Sequence, residues 1–200
     1  LSTGGDLRVI RKALMEICEV PMGSVPVYEA EFDSAKTKGS IFDLEPDDFI
    51  KAIETHAKDG VDFMTIHAGI TLEGLRFMKN QGRTTWIVSR GGGLLAAWMM
   101  YHNRENPLLE RFDDILDICR TYDVTISLGD SLRPGSIADS FDRPQIHELL
   151  VLGELVDRCR SAGVQVMVEG PGHVPLNEIQ AQVIAQKKIT KGAPFYILGM

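Results

Sequence analysis

Two hundred residues, 44% of them hydrophobic and 24% charged, can form one sizeable core, and this composition excludes a disordered chain. A net charge of -7, with no run in which lysine and arginine gather beside aromatics, argues against a nucleic-acid surface and for a small-molecule partner. The most apolar run, Leu94 to Met100, falls far short of the roughly 20 residues a membrane span needs. The opening Leu-Ser-Thr-Gly-Gly shows no basic leader or cleavable apolar segment, so a cytoplasmic protein that does not cross a bilayer is expected.

In chain order, an amphipathic run from Leu7 to Cys18 precedes a first predicted strand, Val25 to Ala30. A helix follows over Pro46 to Lys58, opened by the acidic, proline-started turn Glu45-Pro46-Asp47-Asp48. The next strand is Val61 to Ala68, then a helix over Leu72 to Asn80 and a third strand, Thr85 to Arg90. Helices over Gly93 to His102 and Pro107 to Arg120 lead to the strand Val124 to Gly129. A helix over Arg143 to Ala162 leads to Val164 to Glu169, and one over Leu176 to Lys188 leads to Pro194 to Leu198.

Six such alternations demand a parallel sheet, because a helical crossover returns each strand in the same direction. Runs such as Val-Gln-Val-Met-Val are apolar on both faces, as helix-covered strands are. The class is therefore α/β. Ser89-Arg90-Gly91-Gly92-Gly93 lacks the G-x-G-x-x-G spacing of a dinucleotide fold, which favours a (β/α)8 TIM-type barrel with about six βα units in this chain. Its uncovered edges predict closure by further chain or by a second copy, as in a homodimer. Cys18, Cys119 and Cys159 are too far apart for a zinc knuckle or an iron-sulfur motif and are expected as reduced thiols on helix faces.

Polar groups stand at every predicted strand end. These are Tyr28-Glu29, His67, Ser89-Arg90-Gly91, Asp130-Ser131-Leu132-Arg133, Glu169 with His173, and Tyr196. Any one has a bland explanation: a core histidine, a packed tyrosine, a surface arginine, a turn at Gly170-Pro171-Gly172. Their coincidence at six strand ends matches the catalytic rim of a barrel. Arg90 among glycines suits an anion, and Asp130 beside Arg133 suits ring or ribose donors. Glu169 can hold an amine or hydroxyl, while His173 can ligate a metal or carry a proton. A phosphorylated small molecule satisfies this set.

The runs LSTGGD, TIHAGI, SRGG, DVTISLGDSLRPG, IHEL, GELVDR, VQVMVEGPGHVPLNEI and GAPFYILG, in order from Leu1 to Met200, resemble the central barrel of the phosphomethylpyrimidine synthase family. The resemblance implies a radical S-adenosylmethionine lyase of thiamine biosynthesis. Its four-iron four-sulfur (4Fe-4S) cluster cleaves S-adenosylmethionine, and 5-aminoimidazole ribonucleotide rearranges to 4-amino-5-hydroxymethyl-2-methylpyrimidine phosphate. By motif, Tyr28, His67, Ser89, Arg90, Gly91, Asp130, Ser131, Leu132, Arg133, Glu169 and Tyr196 match substrate-contacting positions, and His173 matches one of two histidines on a zinc ion.

The family's cysteine cluster and second metal histidine belong to a C-terminal segment outside residues 1 to 200, and further substrate residues precede LSTGGD. This chain is thus expected to be a partial catalytic barrel, inactive by itself. Ser131 stands where the family usually has glycine, and Met200 where a proline is expected. The resemblance extends to the anaerobic 5-hydroxybenzimidazole synthase, which uses the same ribotide. From the residues alone, a metal-dependent lyase or aldolase-type barrel and a non-catalytic ligand-binding protein remain alternatives.

Overall fold

The computed structural model describes residues 6–170 and 172–197, in which helices and short strands alternate. Five strands, β1 (Gly23–Ser24), β2 (Phe63–Ile66), β3 (Thr125–Leu128), β4 (Val166–Glu169) and β5 (Phe195–Tyr196), pair in parallel in the order of the sequence. The α/β class and the parallel sheet are as expected. Among the described residues the strand order never reverses, so the crevice of a doubly wound sheet does not form. No helix among them is long and apolar enough to cross a membrane.

Nine helices accompany these strands among the described residues. α1 (Leu7–Ile17) precedes β1, and α2 (Pro26–Thr37) and α3 (Pro46–Lys58) join β1 to β2. The long connection from β2 to β3 carries α4 (Leu72–Gln81), α5 (Arg90–His102), α6 (Pro107–Glu110) and α7 (Phe112–Tyr122). α8 (Arg143–Ser161) joins β3 to β4, and α9 (Ile179–Ile189) joins β4 to β5. The turn before α3 forms as its residues predict: Pro46 opens the helix, and Glu45 and Asp48 form a reciprocal capping box.

Two predicted strands are absent, and each has a local cause. Residues 25–30 enter α2 instead: Pro26 has no N–H to give a ladder and its fixed φ suits the first helical position, so β1 ends at Ser24. Residues 85–90 do not pair because β2 and β3 join each other directly. The amides of Thr84 and Thr85 instead donate to the Asp139 carboxylate, each at 2.8 Å, and Ser89 caps α5 by accepting from the Gly92 N–H at 3.2 Å. The last predicted strand shortens to Phe195–Tyr196; Leu198 lies outside the described residues. Cys119 and Cys159 are buried in α7 and α8 as expected, whereas Cys18 is the residue after α1 and only half-buried.

The core joins the sheet to its helices. Met64, Ile66, Ile126, Leu128 and Val168 are almost wholly buried, each contributing about 1.5–3 kcal/mol by leaving water. Trp98 of α5 is fully buried, meets Phe49 of α3 edge-on at 6.1 Å, and donates its indole N–H to the Leu44 carbonyl at 2.8 Å. Register then fixes where the strands stop. Ile66 lies beside Leu128, Leu128 beside Val168, and Glu169 beside Tyr196, so the residues that follow share one edge of the sheet.

Candidate active site at the strand ends

His67 follows β2 directly and is buried between glycines. A Cβ on Gly91 would lie 2.5 Å from its ring, and one on Gly129 would lie 2.4 Å from it. Its Nδ1 is 3.1 Å from the Ser131 hydroxyl. Burial, with Arg133 adding to it, pushes the imidazole down to about 4, so His67 is neutral at physiological pH. Asn106 fixes the backbone beyond it by donating to the carbonyls of His67 (2.9 Å) and Ile70 (3.0 Å).

The glycines of the Ser89-Arg90-Gly91-Gly92 run therefore serve close packing. Gly91 admits His67, and a Cβ on Gly92 would lie 2.6 Å from the Ser131 Cβ. Ser131 turns its side chain to α5 and His67. Arg90 begins α5, with its guanidinium 4.8 Å over the Tyr28 ring and 3.5 Å from Glu31. A helix N-terminus with an arginine at its first position favours an anion. Tyr28 stands in the first turn of α2; burial raises its hydroxyl against the opposing charge of Arg90.

After β3 the chain turns through Asp130, Ser131, Leu132 and Arg133. Arg133 donates to Asp130 Oδ1 at 3.0 Å, while Asp130 Oδ2, buried, has no partner. Burial pushes the Asp130 carboxyl up to about 7, with Glu169 adding to the rise and Arg133 opposing it. Glu169 ends β4 and accepts from Thr65 at 3.0 Å and Ser127 at 3.4 Å; burial raises it too, against those bonds and Arg133. Leu132 is fully buried and faces Gly74 of α4, so its position in the turn is fixed by the core.

Four buried side-chain atoms among the described residues lack a partner: Asp130 Oδ2, Arg133 Nε, Ser136 Oγ and Gln186 Nε2. Asp130, Arg133 and Gln186 line one cavity of about 30 Å³ with Glu148, Glu169 and Gly170. That volume takes a water-sized polar group and is far too small for a ribotide, so a ligand would send one group inward and keep its body outside. A larger cleft of 290 Å³ lies between α2 and α3, but four of its charged side chains pair with one another, Lys38 with Asp48 at 2.5 Å and Arg8 with Glu29 at 3.0 Å. Unpartnered polar atoms collect at the strand ends.

The remaining sequence candidates lie nearer the surface. Tyr196 pairs with Glu169 across the sheet and is 53% exposed. His173 is exposed, holds φ at 56° and has Nδ1 3.2 Å from the Pro134 carbonyl. Glu29, beside Tyr28 in the sequence, turns away to Arg8, Arg11 and His56. Sequence reasoning missed Glu148, whose carboxylate accepts the amides of Ser131 (2.8 Å) and Leu132 (2.6 Å). A signal was present: Glu148, Leu152, Leu155 and Cys159 form one buried stripe of α8, and a carboxylate on such a stripe needs partners.

The fold and this geometry define a parallel α/β protein whose strand ends gather polar, electrostatically unbalanced side chains, a candidate ligand site. The Radical SAM ThiC family profile matches residues 1–200, and the chain belongs to that family. It is 62% identical over 200 residues to the phosphomethylpyrimidine synthase of Thermus thermophilus, covering 100% of this chain and 46% of that protein. It is 56% identical over 199 residues to the phosphomethylpyrimidine synthase of Methanopyrus kandleri, with the same coverage. Against that of Methanocaldococcus jannaschii it is 53% identical over 199 residues, 47% of that protein. The chain spans about half the length of the curated relatives it matches.

A radical S-adenosylmethionine family implies an iron-sulfur cluster, and the cysteines here do not fit one. Burial pushes the thiols of Cys119 and Cys159 up to about 12, and the Cys18 thiol donates to the Val20 carbonyl at 3.4 Å. No three His, Cys, Asp or Glu side chains among the described residues are placed to hold a metal ion, so His173 alone does not make a zinc site. Neither group enters the chemistry derived for these residues.

Proposed function

We propose that this chain forms the ribotide-binding part of a phosphomethylpyrimidine synthase, built as an arc of a (β/α)8 barrel. The substrate is 5-aminoimidazole ribonucleotide, and the reaction is its radical S-adenosylmethionine rearrangement to the hydroxymethylpyrimidine phosphate of thiamine biosynthesis. Five parallel strands in unreversed order support the barrel. The iron-sulfur ligands and the zinc partner of His173 belong to other parts of the protein. Family membership over the whole chain supports the reaction class.

The observation that carries the substrate is the unbalanced Asp130, with one oxygen held by Arg133 and the other buried without a partner. A ribose hydroxyl or ring amine donating to Oδ2 supplies the missing bond. The phosphate goes to Arg90 and the start of α5, close to Tyr28, and Glu169 takes a second donor while Thr65 and Ser127 hold it in place. These residues bind and orient. His67, Ser89, Gly91, Ser131 and Leu132 shape the wall behind them, and Tyr196 closes the side next to Glu169.

Calorimetric titration of the complete natural protein with the ribotide tests this. Arg90→Ala should weaken binding about tenfold or more, and an unchanged affinity would remove the phosphate assignment. Product analysis by mass spectrometry decides the reaction: pyrimidine phosphate supports it, and 5-hydroxybenzimidazole would reassign the chain to the related cobamide branch.

A further inference from the structure

Glu148 is almost wholly buried in the second turn of α8, yet its carboxyl group makes no ion pair among the described residues. Each oxygen instead takes one backbone N–H from the turn after β3, at 2.8 and 2.6 Å. The turn is gripped from the other side as well. Arg83 donates to the Leu132 carbonyl at 2.5 Å and is itself held by Asp142 at 2.8 Å. Ser131, between these anchors, meets His67 through its hydroxyl.

From this geometry we propose that Glu148 is a positioning residue of the substrate site: it fixes the Asp130–Arg133 turn through two backbone amides and, through Ser131, sets the orientation of the His67 ring. The inference rests on the ribotide reading above. Asp130 and Arg133 reach the site from a four-residue turn with no strand partners of its own. Two amides directed at one carboxylate fix both peptide planes, and with them the directions of the flanking Asp130 and Arg133 side chains. Gly69 makes the approach possible, because a Cβ there would lie 3.0 Å from Glu148 Cγ and 2.5 Å from Leu152. Burial raises the Glu148 carboxyl to about 8, with Asp130 adding to the rise and the bonds from Leu132 and Ser131 opposing it.

Glu148→Gln keeps the shape of the side chain but opposes one amide N–H with an NH2 group. In the complete natural protein this variant should retain its circular dichroism spectrum, weaken ribotide binding about tenfold or more, and shift the imidazole 15N resonances of His67 in the absence of ligand. Glu154→Gln, on an exposed face of the same helix, should change neither readout. Wild-type affinity and unmoved His67 resonances in Glu148→Gln overturn the proposal, as does a loss of affinity matched by the loss of folded protein. If Glu148→Gln does not fold, Glu148→Asp is read the same way, and if that too fails to fold, Glu148 is a structural anchor and the proposal is overturned. Failure of the substrate reading looks different: the wild-type protein itself would not bind the ribotide, while the His67 resonances would still report on Glu148.

Discussion

Two buried clusters of charge, made of the same residue types, behave in opposite ways. Between α1, α2 and α3, Arg11 donates to Glu29 at 2.5 Å and to Asp59 at 2.5 Å, and His56 Nε2 lies 2.9 Å from both Arg11 and Glu29. Its other nitrogen is 2.7 Å from the Ser24 hydroxyl. Burial alone would raise Glu29, but the bonds from His56 and Arg11 outweigh it and bring the carboxyl down to about 2. At the strand ends burial wins: Asp130 rises to about 7, and Glu169 and Glu148 rise as well. The first cluster is complete without a ligand, whereas the second leaves Asp130 Oδ2 and Arg133 Nε for something else to satisfy. A completed network supports a fold, and an incomplete one at a strand end marks a site.

The largest expected effect breaks the completed cluster. Arg11→Met leaves two buried carboxylates without their shared partner and should cost about 3–5 kcal/mol in urea unfolding. Asp130→Asn should do the reverse. Because Asp130 is already under-satisfied, stability in urea at or below about pH 4, where its carboxyl is protonated in the fold, should change by no more than about 1 kcal/mol, while calorimetric ribotide affinity falls at least about tenfold.

The pH dependence of stability separates the clusters again. Glu29 is lowered from 4.5 to about 2, so its contribution is complete above 4.5 and is lost as pH falls towards 2. Asp130 is raised from 3.8 to about 7, so its contribution is complete below 3.8 and is lost as pH rises through about 7. Urea midpoints measured across pH should lose their acid limb in Glu29→Gln and their neutral limb in Asp130→Asn. The smallest effect belongs to Arg8, the half-exposed arm of the completed network, 3.0 Å from Glu29. Arg8→Ala should cost under about 1 kcal/mol by the same unfolding measurement, and a larger loss would show that the network extends to the surface.

The alternating pattern revealed most of the helices, and Pro46 marked the start of α3 directly, but it missed α2, whose first turn reads as a strand. Strands of two to four residues carry less pattern. Val25-Pro26-Val27-Tyr28 has the composition of a strand, but Pro26 starts a helix, and Thr84 and Thr85 give their amides to Asp139, 55 and 54 positions away. The candidate residues were picked out because polar groups followed apolar runs. Their roles were less so: the glycines beside Arg90 suggested room for a phosphate, and in the structure they make room for His67 and Ser131.

By itself the sequence determined the α/β class, the parallel sheet, the family and a set of candidate polar residues. Hydrophobic period and motif are local properties that survive without knowing what lies opposite. Only the tertiary structure decided which buried charges are satisfied, that Glu29 turns from the site while its neighbour Tyr28 joins Arg90, and that Glu148 holds the turn after β3 from a helix that follows it. Those outcomes depend on partners distant in sequence, whose distance and burial set whether a carboxylate's environment lowers or raises its pKa.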